Sequence, residues 1–531
     1  MRDPSQEPPL DMDDIQGDIL VGLTKNVEYF LFFRITDPAL FVPFIRGAQL
    51  TSCAEAKARR DFIDERKKNG LDALVAAPGL NVAFTFDGLS ALWGAGFDAL
   101  DPQGAFRQGM HRRFALNDPP WQKWSVLQPN PTQHGVFIVT GSTDAEIIDT
   151  ISQRVAPAAA NGWAKVALEI GHVRPKPTEG HEHFGYADGV SQPGVRGRVS
   201  QIVSDTEFLT PHADGAEDSQ GAKGQDLLWP GEFVFGYVGQ KENADSFEDH
   251  SDDAVEGAAG ELMRNGAFMV FRKLSQLVPE FNDAVRRASQ TIDAAISERA
   301  SPERLGAQMI GRWKNGAALM NAPLIDEVED KFRDGGSDVN NFEFDQDSAG
   351  VVCPYAAHIR KAYPRNDIPA GTPPGKTPDQ VEAQTQTHRM MRRGIAFGPE
   401  LTVEEALDGL SNPLRQRGLL FKCYVASIEK QFEFVQMNWL NDADFSQADA
   451  GVDPLIGEPD APQPFVGAAP ESRDPARKPA FAFGRFIRLE GGAYFFAPSI
   501  GAIRGLEAPA LVAAARASVS GPKQRRRKDA A

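Results

Sequence analysis

The chain has 531 residues, 41% hydrophobic and 24% charged, enough for two or three ordinary domains or one large two-part fold with a substantial core. A net charge of −17 and a pI near 5.1 argue against nucleic acid and anionic membranes as main partners. Three widely spaced cysteines (Cys53, Cys353, Cys423) with no C-x-x-C argue against a disulfide framework, a zinc knuckle and a c-type covalent haem.

The N-terminus, MRDPSQEPPLDMDDIQGDIL, is polar and acidic with no apolar signal core, and no run of 18 apolar residues follows. The expectation is a cytoplasmic protein without a membrane span, export by another route being left open. Strands are expected, in chain order, at Glu28–Ile35, Leu80–Phe86, Gly135–Thr140, Val166–Val173, Glu232–Val238, Ala267–Lys273 and Leu419–Ser427, all rich in Val, Ile, Phe and Tyr. Helical patterns occupy Ala54–Lys68 and Asp144–Val155. The mixture reads as α+β. YFLFFRITDPALFVPFIRGA, from Tyr29, lines up with AFMVFRKLSQLVPEFNDAVRRA, from Ala267. Each is a strand ending in Phe-Arg, a polar turn and an amphipathic helix, which suggests two related halves or a chance likeness of two strand-helix units. Lys241–Gly257 is acidic and expected as an exposed insertion, Ile368–Pro378 as a loop, and Gly451–Lys478 as extended surface coil. The basic QRRRK near the C-terminus reads as a solvated tail.

Four places could carry chemistry. In HFGYADGVSQP, Asp188 lies between Gly185 and Gly189; it either tightens a turn or is a carboxylate presented by one. His181 and His183, in HEH, could bind a metal, though no further ligands are evident. His358, in CPYAAHIRKAYPRND, is either a surface histidine or an axial ligand. The small Ala356 and Ala357 would admit a flat macrocycle, and Arg360, Lys361 and Arg365 could meet its acidic groups. In HRMMRRGIAFGPE, one of the consecutive arginines Arg392 and Arg393 either points inward, where it would need a negative partner, or makes an ordinary structural salt bridge.

GYADG, AAHIRKAYPR and MRRGIAFGPE, in that order, resemble the haem-dependent dye-decolorising peroxidase family. So do DIQGDIL (Asp14–Leu20), PGEFVFGY (Pro230–Tyr237), GAFMVFRKLSQ, GRWKNGAAL and LLFKCYVASIEKQFEFVQ, so the likeness runs from about residue 14 to about residue 500 and is to the longer members. It implies an α+β fold of two ferredoxin-like halves with antiparallel sheets flanked by helices, related to the dimeric α/β barrel. The halves would be 14–225, carrying G-x-x-D-G, and 226–510, binding haem, with a basic tail at 511–531. It implies non-covalent haem b, reduction of hydrogen peroxide through an oxoferryl intermediate, and one-electron oxidation of dyes, phenols or other aromatic donors.

Carried over by residue, His358 would be the iron ligand, Asp188 and Arg392 the distal pair, Arg393 the outward neighbour of Arg392, Arg365 a propionate contact, and Leu419 and Phe421 the distal wall. Gly394 stands where some relatives carry a polar side chain. Asp442 or Asp444 would accept the other nitrogen of His358, and Tyr363 and Trp439 are either surface exits for electrons or, as the commoner reading of such aromatics, ordinary packing. Asp188 would shuttle a proton between the peroxide oxygens; an unperturbed Asp titrates near ~3.9, so an acidic optimum is expected. Arg392 could instead carry most of the O–O cleavage. Two other readings stand beside this: a non-catalytic haem binder or sensor, and an unrelated metal hydrolase built on His181 and His183.

Overall fold

The computed structural model describes residues 9–71, 75–76, 78–93, 104–197, 224–241, 244, 249–257, 260–291, 301–324, 329–369, 372, 375–458, 464–467 and 480–507. The tail expected at 511–531 lies outside the described residues.

The apolar run at Tyr29 forms β1 (Val27–Ile35), followed by helix α1 (Pro38–Gly47), capped by the Asp37 side chain. Helix α2 (Cys53–Lys68) begins one residue earlier than the apolar pattern suggests. Ser52 and Glu55 exchange side-chain-to-backbone hydrogen bonds in a capping box that fixes the first turn. Strands β2 (Gly79–Phe84) and β3 (Gly135–Gly141), helix α3 (Asp144–Arg154) and β4 (Trp163–His172) complete a βαββαβ unit. Strand β2 stops at Phe84 because Phe86 opens a helix whose Gly88 amide donates to Thr85 Oγ1.

Two short pairs follow: β5 (Gly194–Val195) with β6 (Leu227–Leu228), and β7 (Tyr237–Gln240) with β8 (His250–Val255). They correct one expectation and add detail to another. Pro230–Glu232 is a 3-10 turn and Gly236 has φ 92°, so the strand expected at Glu232–Val238 starts only at Tyr237. The described part of the acidic stretch lies largely at the surface, as expected, and forms the return strand of a hairpin.

The second half repeats the first. Strand β9 (Ala267–Gln276) runs into helix α4 (Val278–Thr291), the two units that aligned in sequence. Short strands β10 (Met391–Arg392) and β11 (Ile395–Phe397) both pair with β12 (Gly418–Val425). A wide π-type helix over Ile428–Glu433 and Val435–Leu440, a small pair β13 (Pro464–Val466) and β14 (Ala480–Ala482), and β15 (Ile487–Ala497) complete it. The first half orders its strands β4-β1-β3-β2, the second β15-β9-β12-β10/β11: the same ferredoxin-like arrangement twice. All neighbours are antiparallel, and the halves join through Phe496 of β15 opposite Phe84 of β2.

The sheet curls so that its two faces bury different cores. Tyr29, Leu31 and Phe33 of β1 face the helices, whereas Phe30 and Phe32 face inward onto Phe271 of β9, with ring centroids 5.0 and 5.3 Å away. Burial on both sides is why β1 reads as an unbroken apolar run. At the far edges Gly171 of β4 lies against Ile395 of β11, where a Cβ would come within 2.2 Å of the Ile395 side chain. Among the described residues, hydrogen bonds do not close the sheet into a barrel.

Inside the curl lies a charged set. Lys422 of β12 donates to Glu28 Oε1 at 2.6 Å and to Asp18 Oδ2, Lys25 donates to Glu28 Oε2 at 2.5 Å, and the Tyr424 hydroxyl donates to Asp18 Oδ2 at 2.7 Å. Burial works to raise the Asp18 carboxyl, but Lys422 and Lys25 hold it down to about 2. Replacing Lys422 with Met takes from Asp18 the cation it bonds directly and leaves Lys25 as the one cation in the set for two buried carboxylates. The expected loss is about 3–5 kcal/mol of folding stability, read by chemical denaturation; an unchanged midpoint would show that the set is not ionised as drawn.

Candidate active site

One cavity is lined by Asp188, His358, Arg365, Arg392, Leu419 and Phe421, the six residues that the resemblance carried over to the haem site, and by Arg312. Its walls are built differently.

His358 opens a short helix, α5 (His358–Ala362). That helix is moored by Arg360, which is 1% exposed. Its guanidinium donates to Asp367 (2.7 and 3.0 Å), to Asp347 Oδ2 (3.1 Å), and to the carbonyls of Asp347 and Cys353. Lys361 turns the same way, onto the carbonyls of Asp442 (2.6 Å) and Phe445. Neither cation faces the cavity, which corrects the expectation that both could meet a macrocycle's acidic groups. Arg360, two residues after His358, lies on the far side of the helix; Lys361, three after, starts nearer the His358 side, but its ammonium is taken up by those two carbonyls.

His358 Nδ1 lies 2.7 Å from Asp453 Oδ2. The other oxygen of Asp453 accepts from the amides of Leu455 (2.8 Å) and Ile456 (2.9 Å). The carboxylate therefore fixes the proton on Nδ1 and leaves Nε2 as the donor nitrogen. Burial pulls the His358 pKa down, but Asp453 more than offsets this and the net shift is upward. The expected partners Asp442 and Asp444 are not the ones used. Asp453 lies in the stretch expected as surface coil, yet Gly451–Pro454 are buried against the helix.

The distal wall hangs on a tight turn. Gly185 and Gly189 have φ 97° and 72°, left-handed angles that favour glycine. Asp188 donates its amide to Gly180 O at 2.9 Å, and its Oδ1 accepts from Gly189 N at 2.7 Å. Asp188 thus does tighten a turn, and the turn sets its carboxylate on the cavity wall. Arg392, paired through its backbone with Cys423, donates from Nη2 to Ser191 O at 2.7 Å. The Gln192 side chain bonds both the amide and the carbonyl of Arg392 (3.3 and 2.8 Å). Burial lowers the Arg392 pKa and the charge of Asp188 works against that. Arg393 points the other way, onto the carbonyls of Asp18 (3.0 Å) and Leu20 (2.7 Å), so DIQGDIL is the anchor of the arginine pair. A Cβ on Gly394 would crowd Leu420 O at 3.0 Å.

His181 and His183 do not converge on a metal. His181 Nδ1 meets Glu179 O, and the buried His183 donates from Nε2 to Phe397 O at 2.9 Å, tying the Asp188 turn to β11. Tyr363 and Trp439 are 7% and 5% exposed, so neither is a surface exit for electrons. Tyr363 instead lines the cavity, with the Arg389 guanidinium 3.8 Å over its ring.

At the rim the Arg365 guanidinium stacks 4.1 Å over Phe342 and donates to Phe342 O at 2.9 Å. Beside it is Arg312, a site residue that sequence reasoning missed. Its hydrogen bonds go to the uncharged oxygens Gly316 O (2.8 Å), Val339 O (3.0 Å) and Asn340 Oδ1 (2.7 Å). Burial and the neighbouring cations Arg365 and Arg392 push its pKa down to about 9. A buried guanidinium beside two others, bonded only to carbonyl and amide oxygens, suits an anionic guest.

A nitrogen donor on one wall, a carboxylate and an arginine on the other, apolar sides and a cationic rim define an enzyme that holds a flat, anionic redox cofactor. The comparisons give this class its family. Residues 14–175 match the DyP dimeric alpha+beta barrel domain. The dye-decolorizing peroxidase msp1 of Mycetinis scorodonius is 33% identical over 517 residues, spanning 93% of this chain and 87% of that one. The multifunctional dye peroxidase of an Amycolatopsis species is 28% identical, spanning 93% and 96%. A solved ancestral D-type dye-decolorizing peroxidase superposes with TM-score 0.72 at 30% identity, covering 94% of this chain and 99% of that one. The chain belongs to the dye-decolorizing peroxidase family and is a haem peroxidase.

His183 gives a test of how the distal wall is held. Burial, with help from the Arg174 charge, lowers its pKa to about 4. Between an ordinary histidine value of ~6.5 and about 4, the unfolded chain binds a proton that the fold does not, so stability falls as pH falls through that window. The expected loss is on the order of 3 kcal/mol by the bottom of the window. His183→Gln, which can still donate to Phe397 O, should flatten that slope in denaturation curves taken from pH 7 to 4. An identical slope in the variant would place the acid sensitivity elsewhere.

Proposed function

We propose that the chain binds haem b without a covalent bond, with iron on His358 Nε2 and the propionates toward Arg365 and Arg312. The observation that carries this reading is the engagement of His358 Nδ1 by Asp453, which leaves Nε2 to the cavity lined also by Asp188 and Arg392. When bound, the haem supplies the electrons that cleave the O–O bond of hydrogen peroxide.

The protein's own part is to move a proton and hold a charge. The Asp188 carboxylate takes the proton from one peroxide oxygen and returns it to the other, which leaves as water. Arg392, fixed through Ser191 and Gln192, orients the peroxide and stabilises negative charge as the bond breaks. A carboxylate base stays ionised at pH values where a free histidine is protonated, which favours activity on the acid side of neutrality. Leu419 and Phe421 keep the distal side apolar and limit water. The electrons are then restored one at a time by aromatic donors such as phenols and dyes. A solved dye-decolorizing peroxidase in complex with 2,6-dimethoxyphenol, 29% identical with TM-score 0.70, supports that donor class.

Haem-supplemented protein should show a ferric Soret band that shifts within seconds of adding one equivalent of peroxide and returns on adding a phenol. Asp188→Asn should slow the peroxide step by about 10²–10⁴-fold, the usual contribution of a positioned proton carrier, and Arg392→Leu by about 10²-fold or more. His358→Ala should alter the ferric spectrum before any peroxide is added. A variant at Asp188 that reacts as fast as the parent would remove it from the mechanism, and a Soret band unmoved by peroxide would turn the reading toward haem binding alone.

A further inference from the structure

Met390 has no role in the reading above, yet among the described residues it is the one thioether on the cavity wall. Alternation along two paired chains puts it there. On β12, Lys422 and Tyr424 turn to the charged set, so Leu419, Phe421 and Cys423 turn the other way. On the facing chain, Met391 shares the core of Leu420 and Tyr424, and Arg393 bonds the N-terminal segment. Met390 and Arg392 therefore share the opposite side, and both line the cavity. Met390 is partly buried, and its Sδ accepts from the Sγ of Cys423 at 3.8 Å. Cys423 is also the backbone partner of Arg392. Two sulfurs thus meet at this corner of the distal wall, and only one is reactive. The nucleophile of a cysteine is its thiolate, and Cys423 is fully buried, with burial pushing its thiol well up. A thioether needs no ionisation to be oxidised.

We propose that Met390 is an oxidation site of this enzyme: peroxide drawn into the cavity converts it to the sulfoxide when electron donors run short, and this disables the distal wall. The inference rests on the reading that peroxide binds in the cavity with Asp188 and Arg392. The O–O bond breaks, one oxygen bonds to sulfur, and the other leaves as water with both peroxide protons. Sulfur gives up two electrons and peroxide takes them. That balance is the same whether sulfur meets peroxide directly or gives its electrons by way of the haem. A phenol or dye returns the electrons first, so the side chain is oxidised only when no donor is at hand. The product is a polar group where an apolar one was packed. Met390 packs against the apolar cores that hold Phe432 and Trp439, neither of which can solvate an added oxygen. Displacing Met390 moves the chain that leads into β10, and Arg392 follows two residues later.

The test is site-resolved mass spectrometry of the holoenzyme after graded peroxide, with and without a phenol. It reads the added oxygen and does not depend on turnover. Met12, Met320 and Met437 are partly exposed away from the cavity and serve as internal standards. Without donor, sulfoxide should build up at Met390 ahead of all three and in step with the loss of peroxidase rate. Phenol should suppress it at Met390 and leave the standards as they were. Met390→Leu, a swap of similar volume, should lose its own starting rate severalfold more slowly than the parent does; Met390→Ile serves if the Leu variant fails to load haem. Oxidation of the outer thioethers while Met390 stays intact would overturn the proposal, as would decay of the Leu variant at the parental pace. Asp188→Asn separates the two levels of the argument. If it reduces peroxide as fast as the parent and Met390 stays intact, the cavity is not the peroxide site; if it is slow while the parent's Met390 stays intact, only this inference fails.

Discussion

The ammonium of Lys422 lies between the carboxylates of Asp18 and Glu28, and none of the three side chains touches solvent. Taking such groups out of water costs about as much as their attraction returns, so the set adds little net stability, but breaking it is expensive. Its effect is on arrangement. Glu28 sits on β1, Lys422 on β12 and Asp18 on the N-terminal segment, so the two halves and that segment fit together in the one way that gives each charge a partner. Arg393 extends the constraint by donating to the carbonyls of Asp18 and Leu20, while Lys25 donates to Arg393 O at 3.0 Å. Adjacent residues on an extended strand point to opposite sides. Fixing Arg393 outward on the N-terminal segment therefore fixes Arg392 inward on the cavity.

The two walls of the cavity are two separate rigid units. On the histidine side, Arg360 draws together Asp347, Cys353 and Asp367, and Asp453 joins His358 to the chain 95 residues further on. On the other side the turn of Asp188 is sewn to β10 and β11 by Gln192, Ser191 and His183. A cofactor between them meets preset groups on both faces. Catalysis by a preset proton carrier and a preset cation needs little reorganisation in the reaction itself.

Much of this was legible in the sequence because it is local. The strand runs at Tyr29, Gly135, Ala267 and Leu419 are buried on both faces and so carry an unmistakable apolar signal. The repeat of strand and helix at Tyr29 and Ala267 turned out to be the opening of each ferredoxin-like unit. What failed was non-local. Asp453 could not be found by spacing, since it reaches His358 from a proline-rich stretch whose composition imitates surface coil. For Tyr363 and Trp439, sequence left packing and an electron exit side by side, and only the burial of both decides for packing. Arg312 carries no signal of its own: in GRWKNGAAL it is one basic residue among two, and only its partners reveal what it is for.

Those partners allow a last distinction. Arg360 and Arg312 are both buried guanidiniums within a few residues of the cavity, yet one is met by two carboxylates and the other by uncharged oxygens. Arg360 is a finished structural element: its charge is balanced and its pKa is raised despite burial, which opposes it. Arg312 is held in place by hydrogen bonds but left electrostatically incomplete, with Arg365 and Arg392 adding to the imbalance. A protein that only needed a hydrogen-bonding post there could use asparagine or glutamine at lower desolvation cost. Keeping a cation makes sense where a negative group arrives with the ligand. The two carboxylates of a haem are such groups, so the unbalanced rim and the donor nitrogen of His358 call for the same molecule from two independent directions.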